Sequence, residues 1–147
     1  MAQTSNMIVI NAPADAIWQV LVDFGAADRY LAGVVDCTAE GEGIGALRTL
    51  TSVDGSTITE RLDVLDATAQ RLSYALLTDT PFGNCLTTVA VRDLGPNVAE
   101  LAWSATFQPD GIPESEAVVL LEGALEDNCL AMKQFMENER PTDFNPA

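Results

Sequence analysis

The chain of 147 residues has the length of one domain, and its 22 acidic and 7 basic side chains give a formal charge of −15. That charge argues against nucleic acids and anionic membrane surfaces as partners, because both require a basic surface. The sequence has no histidine, which excludes histidine-based catalysis, and its three cysteines lack the spacing of a disulfide framework or a metal site. No apolar run is long enough to insert into a membrane and no signal-peptide pattern is present, so we expect a cytoplasmic protein.

The predicted elements form an ordered series of strands between helices. We expect residues 1–5 to be a frayed leader and 141–147 to be a disordered tail, with a single domain spanning 1–140. Pro13 predicts the first turn of a helix that Asn11 or Ala12 caps, and Gly25 predicts its end. In chain order the elements are a strand at 7–10, a helix from 13, a short helix at 26–31, strands at 34–39, 46–53, 56–66, 71–77, 84–93 and 98–108, and a helix at 113–138.

The strand at 56–66 carries the most informative residue. Ile58, Leu62 and Val64 share one phase of the alternation, which predicts a buried face, and Glu60 is a carboxylate in that same phase. A carboxylate that faces a core must find a cation or hydrogen-bond donors, or take up a proton. Glu60 is therefore the first candidate for a functional group.

Arg48 is the expected partner of Glu60. A two-residue turn at Asp54 and Gly55 would place Arg48 opposite Arg61, whereas a loop with an odd number of residues places it on the face of Glu60. We predict the odd loop, because it pairs a buried carboxylate with a fixed cation, and we expect Arg48 to lower the pKa of Glu60. The pair could equally be a structural ion pair of the core, or Glu60 could point into a wet cavity.

The last predicted helix has one apolar stripe. Its members recur at three- and four-residue steps: Val118, Leu121, Leu125, Cys129, Met132 and Met136. An antiparallel sheet also has one face to bury, so the economical arrangement is a curved sheet of about seven strands around this helix. The predicted class is α+β, a helix-grip fold with two short helices after the first strand.

Four phrases resemble the START-like helix-grip superfamily, which includes polyketide cyclase/dehydrase-like proteins, birch-pollen-allergen-type proteins and plant abscisic-acid receptors. They are GALRTL at 45–50, TERLDVLD at 59–66, LSY at 72–74 and WSATF at 103–107. The resemblance extends from about Met7 to Met136 and implies a cavity between the sheet and the long helix. By position, the resemblance implies this cavity-facing set: Arg48, Leu50, Ser52, Ile58, Glu60, Tyr74, Leu76, Cys85, Thr87, Trp103, Phe107, Leu121, Leu125 and Cys129.

The resemblance to the hormone receptors is incomplete. Residues 53–56 and 79–83 match the positions of the two loops that close over the hormone, but the receptors' gate and latch sequences are absent. Leu31 stands where the receptors have a carboxylate-binding lysine. Hormone recognition of the receptor kind is therefore not expected.

Three functions are compatible with these residues. The first is binding of a small hydrophobic, polyketide- or lipid-like molecule, with Arg48 and Glu60 as the main polar groups. The second is a cofactor-independent cyclase or dehydratase in which Glu60 is the general acid or base, and Arg48 and Tyr74 hold carbonyl oxygens. The third is a partner-binding module that uses the two loops. Tyr74 and Trp103 could instead be core residues, and a homodimer is left open.

No cofactor is predicted. The glycines at 41, 43 and 45 are not followed by a helix, so they do not form a nucleotide-binding loop. Without a histidine to activate Cys85 or Cys129, a nucleophilic cysteine is not expected either.

Overall fold

A computed structural model describes residues 1–138 and has one antiparallel sheet of seven strands. The strands lie in the order β1-β7-β6-β5-β4-β3-β2, so that the first and second strands of the chain form the two edges. The predicted helix-grip class is confirmed. The elements are β1 Ala2–Ile10, α1 Ala14–Val22, a 3₁₀ helix Phe24–Arg29, β2 Val34–Glu40, β3 Leu47–Ser52, β4 Thr57–Asp66, β5 Arg71–Leu76, β6 Phe82–Gly95, β7 Val98–Pro109 and α2 Glu114–Asn138.

The N-terminal residues form a strand, so the predicted frayed leader is wrong. β1 begins at Ala2 and pairs with β7, from Ala2 opposite Phe107 to Ile10 opposite Ala99. Ala2 and Thr4 are buried on the inner face, although neither is a strong hydrophobic signal. Small residues at a tightly packed edge are easily mistaken for a polar leader, because the alternation of hydrophobicity is weak there.

The first helix also differs from the prediction. Its N-cap is Pro13, in an extended conformation and without a side-chain cap, so neither Asn11 nor Ala12 caps it. It ends at Val22, before Gly25, and the 3₁₀ helix follows almost at once. Pro13 lacks an N–H, and the N-cap position does not need one.

The alternation of β4 is interrupted. The register against β5 shifts between Leu62 and Val64, which is a β-bulge. Because the bulge reverses the phase, Val64 is 38% exposed and Leu65 instead packs against the core. The predicted inward position of Val64 is therefore wrong, while Ile58, Glu60 and Leu62 keep the predicted phase.

Helix α2 packs against only some of the strands. It lies closest to β1 and β7, and its buried side chains are Ala117, Leu125, Cys129, Met132 and Met136. Val118 and Leu121 of the predicted stripe are only partly buried. Space therefore remains between the helix and β4, β5 and β6.

Two further predictions concern the ends of the chain and the membrane. The tail at 141–147, predicted to be disordered, lies outside the described residues, as do the last residues of the predicted domain. Within residues 1–138, none of the helices has the length and hydrophobicity needed to cross a membrane.

Candidate ligand-binding cavity

Arg48 and Glu60 are direct cross-strand neighbours. In the β3–β4 register Arg48 lies opposite Glu60 and Thr51 opposite Thr57, so five residues lie between the two members of the last pair of the ladder. The predicted odd-length loop is confirmed, and both side chains point to the concave face. The Nε atom of Arg48 donates a hydrogen bond of 2.8 Å to Oε1 of Glu60.

The guanidinium of Arg48 is enclosed on all sides. It lies 4.0 Å from the centre of the Phe24 ring and 4.7 Å from that of Tyr74, so two aromatic faces cover the cation. Its Nη1 donates to the main-chain oxygen of Phe24 at 3.3 Å. The side chain is 2% exposed, so Arg48 is a structural cation of the core that ties the 3₁₀ helix to β3 and β4.

Burial dominates the proton affinity of Glu60. Burial raises the pKa of this carboxyl, and the charge and hydrogen bond of Arg48 limit the rise. The expectation that Arg48 would lower the pKa of Glu60 is therefore wrong in its net direction. Burial also works against the charge of Arg48, but Glu60 outweighs it, so the pKa of Arg48 is raised and the guanidinium stays charged. The charge of Arg48 therefore offsets only part of the cost of burying an ionised carboxylate.

Tyr74 is the second polar group of this face. It is 5% exposed, and its hydroxyl oxygen accepts a hydrogen bond of 3.1 Å from Nε1 of Trp103. Burial raises the pKa of Tyr74, and the charge of Glu60 adds to the rise, so the side chain is a neutral phenol. An indole N–H can only donate, so the hydroxyl oxygen of Tyr74 is the acceptor of this bond, which holds the phenol in place.

A cavity in two adjoining compartments lies between this face and α2. Each has a volume of about 240 Å³, and both are lined by Ile58, Glu60, Tyr74, Ala124 and Asn128. The first extends towards the 3₁₀ helix and is also lined by Leu31, Ala32, Val34, Leu50, Ser52 and Asp127. The second extends towards β6 and is also lined by Leu76, Thr80, Phe82, Cys85, Thr87, Leu121 and Leu125. Small-molecule sites are typically roughly 300–1,000 Å³, so a ligand of ordinary size would occupy both compartments.

The structure brings most of the predicted residues to this cavity. Those that line it are Leu50, Ser52, Ile58, Glu60, Tyr74, Leu76, Cys85, Thr87, Leu121 and Leu125. The other four predicted residues, Arg48, Trp103, Phe107 and Cys129, are not among the lining residues of either compartment, and all are almost completely buried. Arg48 contacts the wall through its hydrogen bond to Glu60, and Trp103 contacts it through its hydrogen bond to Tyr74.

The predicted apolar stripe missed part of the helix wall. The small Ala124 and the polar Asp127 and Asn128 line the cavity, but none of them is a large apolar residue of the kind that defines the stripe. Positions 121, 124, 125 and 128 nevertheless follow helical spacing and mark one face. The Oδ1 atom of Asn128 accepts a hydrogen bond of 3.2 Å from the main-chain N–H of Ala32, which fixes α2 to the segment before β2.

The two loops contribute unequally. Thr80 and Phe82, from the predicted loop at 79–83, line the second compartment, whereas no residue of the loop at 53–56 lines either compartment. Leu31, at the position of the receptors' lysine, lines the first compartment. The wall therefore has an apolar side chain where the receptors have a cation.

The cysteines are free and unactivated. Burial raises the pKa of Cys85, and it raises that of Cys129 to about 11, so both are thiols at neutral pH. Cys85 lines the cavity beside Thr87, with 3.8 Å between its sulfur and the threonine hydroxyl. It contributes a small apolar surface.

Two other hollows of the described residues have no buried charged group in their lining. One of about 450 Å³ lies between the 3₁₀ helix and the loop at 41–46, and one of about 660 Å³ lies between α1 and α2. Their charged lining residues, Asp23, Glu42 and Arg29, are all solvent-accessible. The cavity under α2 is therefore the best candidate site.

The fold and cavity define a helix-grip protein with an internal pocket, and comparison with known proteins agrees. Residues 1–138 match the family described as polyketide cyclase / dehydrase and lipid transport. The chain belongs to this family.

Solved structures with the same fold come from several bacteria. The protein XoxI from Bacillus cereus is 28% identical, with a TM-score of 0.84 over 92% of this chain and 96% of that one. The Zhui aromatase/cyclase from a Streptomyces species is 22% identical, with a TM-score of 0.75 over 96% and 97%. A START superfamily protein from Mycobacterium smegmatis is 16% identical, with a TM-score of 0.80 over 94% and 99%. The last two similarities concern the fold alone.

Proposed function

We propose that the protein binds a small hydrophobic, polyketide- or lipid-like molecule in the cavity between the sheet and α2. The observation that carries the proposal is the composition of the wall: apolar side chains surround two buried polar groups, Glu60 and Tyr74, which line both compartments. Burial of a ligand's apolar surface would supply most of the affinity, and the polar groups would fix its orientation. The family description supports both ligand classes.

A cavity-filling variant tests this proposal. Ala124 lines both compartments from the helix, so Ala124→Trp would place an indole in the cavity. Leu120→Trp is the matched control, because Leu120 is an exposed residue of the same helix outside the lining. We expect Ala124→Trp to weaken binding of a hydrophobic fluorescent dye, and of any molecule co-purified in native mass spectrometry, at least about tenfold. Equal binding by both variants and the unmodified protein would contradict the proposal.

The second candidate function is a cofactor-independent cyclase or dehydratase. The observation in its favour is that Glu60 is a cavity carboxyl whose pKa burial raises, which suits a group that gives and takes protons near neutral pH. Glu60 would take a proton from a carbon next to a carbonyl of the substrate, and Tyr74 would donate a hydrogen bond to that carbonyl oxygen. Arg48 lies behind Glu60, so it would position the carboxylate rather than touch the substrate.

Glu60→Gln separates the two functions. The substitution keeps the size of the side chain and removes its proton affinity, so an enzyme would lose turnover of a poly-β-keto substrate while its dye binding changed little. Glu100→Gln is the matched control, because Glu100 pairs with Arg92 at the surface. Turnover that survives Glu60→Gln would exclude Glu60 as the acid or base.

The proposed place of action is the cytoplasm. Cys37, Cys85 and Cys129 are all unpaired, which is typical of proteins in a reducing compartment.

A further inference from the structure

The hydroxyl of Tyr74 has an unused donor. Its oxygen accepts from Trp103, so the hydroxyl hydrogen must point elsewhere, and no acceptor for it lies within hydrogen-bond distance in residues 1–138. The side chain is 5% exposed and lines both compartments. A buried donor without an acceptor is costly, so this hydrogen is available to a ligand oxygen.

Glu60 has an unused acceptor on the same face. Arg48 bonds to Oε1, whereas Oε2 accepts no hydrogen bond from any described residue. In the β4–β5 register Leu62 lies opposite Tyr74, and Glu60 lies opposite Leu76, so Glu60 and Tyr74 are diagonal neighbours. Such neighbours have Cα atoms roughly 7–8 Å apart, which leaves room for one ligand oxygen between two long side chains.

The charge of the wall is one-sided. Among the described lining residues, Glu60 and Asp127 are acidic and none is Lys or Arg. The nearest cation, Arg48, is occupied by Glu60, the oxygen of Phe24 and two ring faces. A ligand carboxylate would face Glu60 without a free cation, and this repulsion disfavours fatty acids and other anionic ligands.

We propose that the ligand is a neutral molecule with a hydroxyl group, which accepts a hydrogen bond from Tyr74 and donates one to Oε2 of Glu60. The inference rests on the proposed binding function and narrows it to one substrate class. The hydroxyl of such a ligand would pair the free donor of Tyr74 and the free acceptor of Glu60. The apolar remainder of the ligand would pack against Ile58, Leu76 and Leu121.

Three probes that share one ring system test the proposal. They are 1-naphthol, naphthalene and 1-naphthoate, compared at pH 8 by displacement of a bound hydrophobic dye. We expect 1-naphthol to bind about tenfold more tightly than naphthalene, because a site that hydrogen-bonds a hydroxyl discriminates against the analogue that lacks it. We expect 1-naphthoate to bind more weakly than either.

Two tyrosine variants separate the hydroxyl from general packing. Tyr74→Phe keeps the ring over Arg48 and removes one of the two proposed hydrogen bonds, so it should reduce the preference for 1-naphthol over naphthalene and leave naphthalene binding unchanged. Tyr30→Phe is the control, because Tyr30 is equally buried but lies outside both compartments. Glu60→Gln should also reduce the preference for 1-naphthol, and circular dichroism should show that each variant is folded.

The outcomes distinguish this inference from the proposed function. Equal binding of 1-naphthol and naphthalene, or tight binding of 1-naphthoate, would overturn the inference and leave the binding function intact. A preference for 1-naphthol that Tyr74→Phe leaves undiminished would also overturn it. If neither the dye nor any probe binds, both the binding function and the inference fail.

Discussion

Removing one partner of the Arg48–Glu60 pair should destabilise the protein far more than breaking a surface pair. Arg48→Met replaces the cation with an uncharged side chain of similar length, and it leaves Glu60 as a buried carboxylate without its cation. The side chains of the pair are 2% and 10% exposed, so water screens them little. Loss of one partner from a buried pair typically costs about 3–5 kcal/mol.

The matched surface pair is Arg92 and Glu100, whose side chains are 68% and 22% exposed and 3.2 Å apart. Arg92→Met should cost at most about 1 kcal/mol, because exposed pairs contribute little. Urea denaturation followed by tryptophan fluorescence measures both free energies of unfolding, with equal m-values as the check that only stability has changed.

A double variant tests the physical cause. Arg48→Met combined with Glu60→Leu removes both charges, so it should recover much of the stability lost by Arg48→Met alone. The reasoning is refuted if Arg48→Met costs no more than Arg92→Met, or if the double variant is no more stable than Arg48→Met. Either result would mean that the guanidinium contributes packing between the rings of Phe24 and Tyr74 rather than charge compensation.

Three further predictions follow from burial. In the folded chain burial raises the pKa of Glu60 above its ordinary value of 4.5. The stability that this raised proton affinity contributes is complete below pH 4.5 and is lost as the pH rises through the folded pKa. Denaturation between pH 4 and 8 should therefore show the stability of the unmodified protein falling relative to that of Glu60→Gln. Because the bulge exposes Val64, Val64→Ala should change the free energy of unfolding by about 0.5 kcal/mol or less, against about 2–5 kcal/mol for Leu62→Ala. Since its pKa is raised to about 11, native Cys129 should react with a maleimide at pH 7.5 much more slowly than the half-buried Cys37, and unfolding in urea should abolish the difference.

The Arg48–Glu60 pair shows what the sequence can predict about a site. Side chains alternate between the two faces of a strand, so an odd or even number of residues in the β3–β4 loop decides whether Arg48 lies on the face of Glu60. A buried carboxylate requires a cation or hydrogen-bond donors, and this requirement favours the odd number. This reasoning reached the correct pairing. It gave the wrong sign for the pKa of Glu60, because the depth of burial depends on the helix above the strand and not on the strand itself.

Two errors have their origin in three-dimensional packing. Nothing in the residues around Asp63 distinguishes a regular strand from a bulged one, so Val64 was assigned to the wrong face. Trp103 has the correct phase for the cavity, but Tyr74 lies in front of it and excludes it from the wall. Asn128 lies on the same helical face as Leu121 and Leu125, but its polar side chain kept it out of the apolar stripe from which the cavity face was predicted.

The pairing of β1 with β7 has a consequence for the order of folding. Ala2 pairs with Phe107, so the first strand leaves the ribosome roughly 100 residues before its partner. At a synthesis rate of about 5–20 residues per second, β1 is without its hydrogen-bonding partner β7 for roughly 5–20 s. Helix α2, which packs against β1, is made later still. The core therefore closes only after most of the chain has been synthesised, and the nascent sheet is exposed to misassembly until then.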